Sequence, residues 1–356
     1  MAFNGAIQKC FLLLILEVFL FSCKVKPLEM QETNQSKTPA ENKNDYNVKI
    51  VMPIQWINKV FEFDYNDDSN SLAGEFADII SSYNLIDEEE TTQLDRFRDK
   101  DNIPWYINYM IANLDEEPEP EIIAIFGLPT QVYQVLLVFK KINKNWYLLY
   151  YEPFYVHYDP PELYIANNYS PNKAFFIRKL HGRGSGLFQD AHHFYKLIDG
   201  KIYPCLVLLN ESRIYGWGLT LNQDINSNFK FNSSAIDELW VTYNYHFFAG
   251  PVYEEDAPWG SHTEISFVKG KDAIGYTWDN EDKKYIPNFY TYSPDNLTEE
   301  RITCFWTLGD NDELFIKAFD YEIRKTLENG SKEEKEILQW YIDIFKRRGN
   351  WEERPL

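Results

Sequence analysis

The sequence predicts an α+β fold in which antiparallel β-structure predominates, with a helical segment near the start of the folded part and a helical hairpin at its end. Aromatic residues make up 17% of the chain. Over the C-terminal two thirds they recur at every second position, which is typical of strands. The turn sequences Asn143-Lys144-Asn145 and Asp199-Gly200 separate such runs as hairpin turns do. Residues 311–356 instead follow the period of helices.

The first residues predict an export signal followed by a tether. Residues 1–22 contain one early cation and an apolar run from Phe11 to Phe21. This run is shorter than the roughly 20 residues of a membrane-spanning helix and contains Glu17, so we expect a signal peptide that is removed. Residues 23–47 are polar after Cys23 and carry few large apolar side chains, which predicts a disordered tether.

The end of the apolar run, Leu20-Phe21-Ser22-Cys23, resembles the lipobox of bacterial lipoproteins. In those proteins the leader is cleaved before a cysteine whose sulfur receives a diacylglycerol. The resemblance implies that Cys23 is lipidated, with palmitate-type chains as the membrane anchor, and that the protein is held in the bacterial cell envelope, in the periplasm or on the surface. More than one acyl chain makes such an anchor stable. Two alternatives stay open, namely ordinary secretion with Cys23 as a free thiol and a buried N-terminal helix.

Residues 48–120 are predicted to form an acidic, mainly helical region. A first strand is expected to end near Phe63. Apolar residues between Leu72 and Tyr83 then recur at helical spacing, and further helices are expected at 91–98 and 104–111. The Pro and Glu residues just before residue 121 break this pattern and mark the best internal boundary.

Acidic residues concentrate in one part of the chain. The formal net charge is −20, and residues 62–121 contain eighteen Asp and Glu against three Lys and Arg. Two interpretations stay open, a solvated helical surface and an electrostatic footprint for a basic partner. The overall charge opposes a phosphate backbone and therefore excludes nucleic acid as a partner.

Residues 121–310 are predicted to form an antiparallel β-rich body. Strand-like runs fill it, the last at 301–308, apart from a polar bridge at 222–234. The hairpins at 139–143 and 195–199 share a weak pattern. A β-propeller-like repeat of hairpins is therefore the alternative architecture.

One predicted strand, 238–248, alternates between two kinds of side chain. Val241, Tyr243, Tyr245 and Phe247 have one parity, and Thr242, Asn244 and His246 have the other. Because successive side chains of a strand point to opposite faces, this strand is expected to be half-buried.

Residues 311–356 are predicted to form a helical hairpin that packs on the sheet. The first helix carries an apolar stripe from Phe315 to Leu327, and Asn329-Gly330 ends it. Ser331 and Glu334 have the spacing of a capping box at the start of the second helix.

The two cysteines of the body, Cys205 and Cys304, lie in apolar, strand-like runs. An exported compartment permits a disulfide between them, and two buried free thiols fit equally well. No metal-ligand spacing involves either residue, and the sequence predicts no cofactor.

Oxygen-bearing side chains occupy the ligand positions of a calcium loop between residues 64 and 75. They are Asp64, Asn66, Asp68, Asn70 and Glu75. The sharp turn of such a loop normally requires glycine at position six, where this chain has Ser69, and no convincing helix precedes the loop. The simpler alternative is an Asx-rich turn before the next helix.

The segment from His181 to His193 holds the densest group of residue types used in catalysis. Ser185, Asp190 and His192 are the ingredients of a hydrolytic site in which histidine takes a proton from serine and aspartate orients the imidazole. Asp190 and His192 have the same strand parity and are expected on one face. The spacings of a nucleophile elbow and of a P-loop are absent, so the alternative is a flexible loop between strands.

Two tryptophans in glycine-flanked loops, Trp217 and Trp259, are suited to stack on sugar rings, with packing in the core as the alternative. Together with the leader, these features predict a membrane-anchored envelope lipoprotein that acts as a non-catalytic binding module for a protein or a glycan. Two alternatives stay open. One is an envelope hydrolase that uses the His181–His193 segment, and the other is an acidic inhibitor of a basic partner.

Overall fold

Two antiparallel sheets make up most of the structure, which is a computed structural model. It describes residues 47–62, 69–83, 106–127, 133–155, 163–166, 173–184, 186–215, 221–232, 237–249, 265–289, 297–308 and 312–349. All of these residues belong to one unit of the chain, Asn44–Leu356. Within them, no helix combines the length and the apolarity that a membrane span requires.

Thirteen strands are present in the described residues. They are β1 (Asn47–Met52), β2 (Tyr106–Ala112), β3 (Glu121–Gly127), β4 (Tyr133–Ile142), β5 (Asn145–Tyr155), β6 (Leu163–Ile165), β7 (Ala174–Gly184), β8 (Leu187–Ile198), β9 (Lys201–Ile214), β10 (Leu221–Phe231), β11 (Glu238–Ala249), β12 (Ile265–Asp279) and β13 (Lys284–Pro287). The first sheet has the order β1-β5-β4-β3-β2, and β6 to β13 form the second sheet in sequence order. All neighbouring strands are antiparallel.

Six helices accompany these strands in the same residues. They are α1 (Ile54–Phe61), α2 (Ser69–Ser82), α3 (Glu299–Trp306), α4 (Asp312–Ala318), α5 (Asp320–Asn329) and α6 (Lys332–Gly349). Two helices therefore precede most of the first sheet in the chain, and four follow the second.

The elements stack as helices, sheet, sheet and helices. Trp56 of α1 and Phe76 of α2 cover one face of the first sheet. The other face packs on the second sheet, where the Tyr150 and Tyr195 rings lie 5.8 Å apart between centroids. The C-terminal helices cover the second sheet through a third apolar cluster that includes Phe305. The apolar side chains thus form three layers of core between four layers of backbone.

The predicted fold class, α+β with predominantly antiparallel β-structure, is confirmed. Asn143 and Asp199 lie in the two expected hairpin turns with a φ of 50° each, and Gly200 has a φ of 76°, which is the backbone of a two-residue hairpin turn. The capping box of α6 is also present. Its Ser331 N–H donates to Glu334 Oε2 at 2.7 Å, and the Glu334 N–H donates to Ser331 Oγ at 3.2 Å.

Two local predictions before residue 121 are wrong. Residues 54–61 are helix α1 and do not continue the first strand, because Trp56, Ile57 and Val60 form one buried helical face. Residues 106–112 are strand β2 and not a helix, because they pair along their whole length with the fully buried strand β3. The helix expected at 91–98 lies outside the described residues.

Three predictions after residue 121 also need correction. The polar bridge expected at 222–234 is mostly strand β10, and the strand expected at 301–308 is mostly helix α3, which Thr298 caps by accepting the Arg301 N–H at 3.3 Å. The first C-terminal helix is divided at Phe319 into α4 and α5. The propeller alternative is wrong for the described strands, which form two stacked sheets of five and eight strands and not separate blades.

Candidate functional site

The residues of the predicted hydrolytic site do not form a proton relay in the described structure. Ser185 lies outside the described residues. The Asp190 carboxylate accepts hydrogen bonds from Arg178 and from Asn210, the latter at 2.9 Å. His192 packs between phenylalanine rings, and its buried Nδ1 has no hydrogen-bond partner among the described residues. His192 Nδ1 is therefore not hydrogen-bonded to Asp190.

A second cluster, on strands β5, β7 and β8, was not predicted from the sequence. Lys179 Nζ on β7 lies 2.5 Å from Glu152 Oε1 on β5, so the ion pair joins the two sheets. The Tyr195 and Tyr150 hydroxyls donate to Glu152 Oε2 at 2.7 and 2.9 Å. Both carboxylate oxygens thus have partners. An ion pair that is satisfied in this way indicates a structural connection between the sheets and not an open catalytic site.

His181 and His193 form a pair on the strands that carry this cluster. Their Nε2 atoms lie 2.7 Å apart and their rings 5.0 Å apart between centroids. Burial, followed by the charge of Lys179, lowers the pKa of His193 well below its ordinary value. A neutral ring can donate at one nitrogen and accept at the other, so the pair satisfies one donor and one acceptor. No group of three or more metal-ligating His, Cys, Asp or Glu side chains occurs in the residues described.

Most of the other predicted site residues lie outside the residues that the structure describes. These are Cys23, Trp217, Trp259, Asp64, Asn66 and Asp68, as well as the side chain of Asn70. Of the calcium candidates, Glu75 is described, and its carboxylate binds Lys59 Nζ at 2.6 Å. Of the two alternatives for Cys205 and Cys304, the structure has two thiols without a disulfide between them, and both are buried in one apolar cluster. Cys304 lies on helix α3, where it packs as a small apolar side chain.

Part of the acidic segment is used inside the protein. The buried Lys140 Nζ binds Asp115, and it lies 3.0 Å from Glu117 and 3.1 Å from Glu121. Glu121 is completely buried. These three carboxylates compensate one internal cation, which gives them a structural use. Most acidic residues of 62–121 lie outside the described residues, so the acidic footprint and the acidic inhibitor stay predictions.

A polar surface on strands β10, β11 and β12 is the candidate binding site. Its residues are Asp224, Asn226, Asn228 and Lys230 of β10, Trp240, Thr242, Asn244 and His246 of β11, and Lys269, Lys271, Ala273 and Gly275 of β12. We call this set the β10–β12 face. Each set of three paired residues, such as Asn226, Asn244 and Lys271, crosses the sheet in one row. Except for Gly275, every member is at least partly exposed to solvent.

Trp240 is the large aromatic residue of this face and is 42% exposed. It lies opposite Gly275 of the neighbouring strand. Indole atoms Cζ2, Cε2 and Cη2 lie 3.4, 3.6 and 3.6 Å from the position that a Cβ of Gly275 would occupy. A position in the plane of the ring, beside its edge, would be clearly further from the two outer atoms than from the middle one. Because the three distances are nearly equal, the Cβ position lies above the plane of the ring. The indole therefore lies flat on the glycine and presents its other face outward.

Amide and hydroxyl groups continue the β10–β12 face along the strands from Trp240. Asn244 Nδ2 donates to Asn226 Oδ1 at 3.0 Å, which holds the two amides side by side. An amide carries two N–H donors and an oxygen with two acceptor sites, so each keeps further bonding capacity after this contact. The Tyr215 hydroxyl donates to Asp224 Oδ2 at 3.1 Å at the adjacent edge. The face thus combines one flat apolar platform with oriented donors and acceptors.

The sequence contained a signal for this face. Asn222, Asp224, Asn226, Asn228 and Lys230 alternate with less polar residues, which is the period of a half-buried strand. Their high polarity indicated a loop. The position of Gly275 opposite Trp240 depends on the register between β11 and β12. That register is a long-range property of the sheet, so the platform could not be derived locally.

Comparisons with known proteins identify no relative. No family model matches the sequence, and neither the curated proteins nor the solved structures provide a match. The function is therefore inferred from the chemistry of the β10–β12 face.

Proposed function

We propose that this protein is a non-catalytic glycan-binding module and that the β10–β12 face binds the sugar. The observation that carries the proposal is the flat, outward-facing indole of Trp240 on Gly275. Sugar rings have apolar C–H faces that pack on an aromatic surface, and their hydroxyls both donate and accept hydrogen bonds. Asn226, Asn228 and Thr242 extend from the same face and match that second requirement.

A substitution at Trp240 tests this proposal. The full-length chain, solubilised in detergent, is assayed against a panel of immobilised polysaccharides. Trp240→Ala should weaken retention by at least about tenfold, because stacking and apolar burial contribute roughly 1.5–3 kcal/mol for a large side chain, whereas Trp240→Phe should retain part of the affinity. Tyr321→Ala is the matched control, since Tyr321 is an exposed aromatic residue outside the face. Equal binding by Trp240→Ala and the parent chain would contradict the proposal.

We also propose that the module is held in the bacterial cell envelope by lipid at Cys23. The lipobox-like segment ending in Cys23 supports this, together with the short apolar run before it and the polar residues 24–47 after it. A palmitate-type anchor on a polar tether would leave the β10–β12 face free to reach a glycan at the membrane surface. Incorporation of labelled palmitate should depend on Cys23. Labelling that persists in Cys23→Ala would overturn the lipid anchor without affecting the glycan proposal.

A further inference from the structure

Three lysines of the β10–β12 face have no ionic partner among the described residues. Lys230, Lys269 and Lys271 are all exposed. In the same residues, each of the buried lysines 140, 179 and 196 binds a carboxylate. The chain as a whole carries 55 Asp and Glu against 35 Lys and Arg. Unpaired cations gathered on one face of so acidic a protein are available to an anionic ligand.

The carboxylates near these lysines have their own partners. Asp224 is the acidic member of the face and accepts from the Tyr215 hydroxyl. It lies two strands away from Lys269, about 9.5 Å between the backbones at the usual spacing of strands, and no ion pair joins the two side chains in the described structure. Just beyond the face, Glu238 accepts from Asn232 Nδ2 at 2.5 Å. Neither acid neutralises the three lysines directly.

The positions of the lysines relative to Trp240 specify where negative charge would lie on a ligand. Lys230 is directly opposite Trp240, so the two Cβ atoms are about 5 Å apart. An acidic group on a sugar that stacks on the indole would lie within reach of Lys230. Lys271 is four residues from Gly275 along β12, or about 13 Å, and Lys269 is two residues further on. The cations therefore extend well beyond a single ring.

From this arrangement we infer that the ligand is an acidic polysaccharide, with carboxylate or sulfate groups on more than one of its sugars. The inference depends on the proposed glycan-binding function and specifies the class of glycan that is bound. Trp240 supplies the platform for one ring, Lys230 binds the acidic group of that ring, and Lys269 with Lys271 binds acidic groups further along the polymer. Charge complementarity distinguishes this ligand from a neutral glycan, which would leave the three ammonium groups unmatched.

The experiment compares polymers that differ in charge and have the same backbone. Polygalacturonate and its methyl ester form one such pair, and heparin and dextran serve as additional acidic and neutral polymers. The full-length chain in detergent should bind the acidic polymers about threefold to 150-fold more tightly, since three exposed charge pairs at roughly 0.2–1 kcal/mol each add up to about 0.6–3 kcal/mol. This preference should decrease as salt is raised from 50 mM to 500 mM, because salt screens exposed charges.

A triple variant assigns the preference to the face. Lys230→Gln, Lys269→Gln and Lys271→Gln together should abolish the preference for acidic polymers. The matched control replaces three exposed lysines elsewhere, Lys173, Lys201 and Lys325, by glutamine. The control removes the same total charge and should behave as the parent chain. If both triple variants lose the preference equally, the effect is one of net charge and the assignment to this face is overturned.

The remaining outcomes separate this inference from the proposed function. Equal affinity for polygalacturonate and its methyl ester, with both lost in Trp240→Ala, would overturn the acidic ligand and retain glycan binding. Failure to bind any polymer of the panel would overturn both. Binding of single-stranded DNA or of phosphatidylglycerol vesicles as tightly as heparin, unaffected by Trp240→Ala, would show recognition of charge alone and would also overturn the inference.

Discussion

The ion pair between Lys179 and Glu152 connects the two sheets, and its removal gives an asymmetric prediction. Lys179 is 6% exposed, and the Glu152 side chain is 14% exposed. Glu152→Ala removes the one carboxylate that binds the ammonium group and also removes the acceptor of the Tyr150 and Tyr195 hydroxyls. Removing one partner of a buried ion pair typically costs about 3–5 kcal/mol, because the other charge remains uncompensated.

The reverse substitution should be less costly. In Lys179→Met the Glu152 carboxylate keeps two tyrosine donors at 2.7 and 2.9 Å, and the methionine fills much of the volume of the lysine stem. We expect a loss of about 1–3 kcal/mol, which corresponds to a hydrogen-bonded group that has lost one partner. The double variant Glu152→Leu with Lys179→Met should be more stable than Glu152→Ala, because it leaves no buried charge.

Urea unfolding followed by intrinsic fluorescence measures these differences in the free energy of unfolding. The expected order of stability is the parent chain, Lys179→Met, and then Glu152→Ala. Glu152→Gln provides a second measurement through pH. Burial lowers the pKa of Lys179 in the folded state, so the unfolded chain binds more protons between that pKa and 10.5. Stability should therefore rise with pH in this alkaline range, and more steeply in Glu152→Gln. Equal stability of Glu152→Ala and the parent chain would refute the cross-sheet role.

Three further predictions concern other parts of the structure. Burial, then the charge of Arg178, lowers the pKa of His192 to about 4. The unfolded histidine binds more protons, so the free energy of unfolding should fall as the pH is lowered from about 6.5 to 4. If His192→Asn shows the same dependence of stability on pH, this prediction is wrong. Ser331→Ala should cost about 1 kcal/mol in urea unfolding through the loss of the α6 cap, and a change below about 0.3 kcal/mol would argue against the capping box. Reducing agent should leave the melting temperature unchanged, because Cys205 and Cys304 form no disulfide; a drop would reveal one.

Local sequence signals predicted those parts of the fold whose geometry is local. The hairpin turn at Asp199-Gly200 requires positive φ at both residues, which Asp and Gly tolerate. The expected alternation of β11 is confirmed: the buried residues are Val241, Tyr243, Tyr245 and Phe247, and the partly exposed ones are Thr242, Asn244 and His246. In each case a few adjacent residues determine the outcome. The fold class follows from the sum of such signals.

The parts that could not be predicted depend on partners distant in the chain. The sequence predicts a helix at 104–111, but residues 106–112 form a strand because the buried strand β3 offers them a complete set of backbone partners. The geometry of the candidate site also depends on residues that are distant in the chain. Nothing near Trp240 in the sequence reveals that Gly275 lies under its ring, and that contact is what makes the ring a platform. Site geometry here is a consequence of strand register.

The two hairpins that share a sequence pattern help to interpret the surface lysines. Lys140 pairs with Tyr147 across the first hairpin and Lys196 pairs with Tyr203 across the second, and each lies just after a register shift of its strand. Both are buried and compensated, Lys140 by three carboxylates and Lys196 by Asp237 at 2.6 Å, with the Lys196 ammonium also 4.1 Å from the centre of the Trp278 ring.

Inside this protein, then, a lysine is accompanied by an acid brought from another part of the chain. The chain has a large excess of acids from which such partners could be drawn, yet Lys230, Lys269 and Lys271 have none among the described residues. One of these lysines, Lys230, lies opposite the outward-facing indole, and the other two lie further along the same amide-rich face. The buried lysines have acidic partners and these three exposed lysines have none among the described residues, so we infer that a ligand of the β10–β12 face supplies the negative charge.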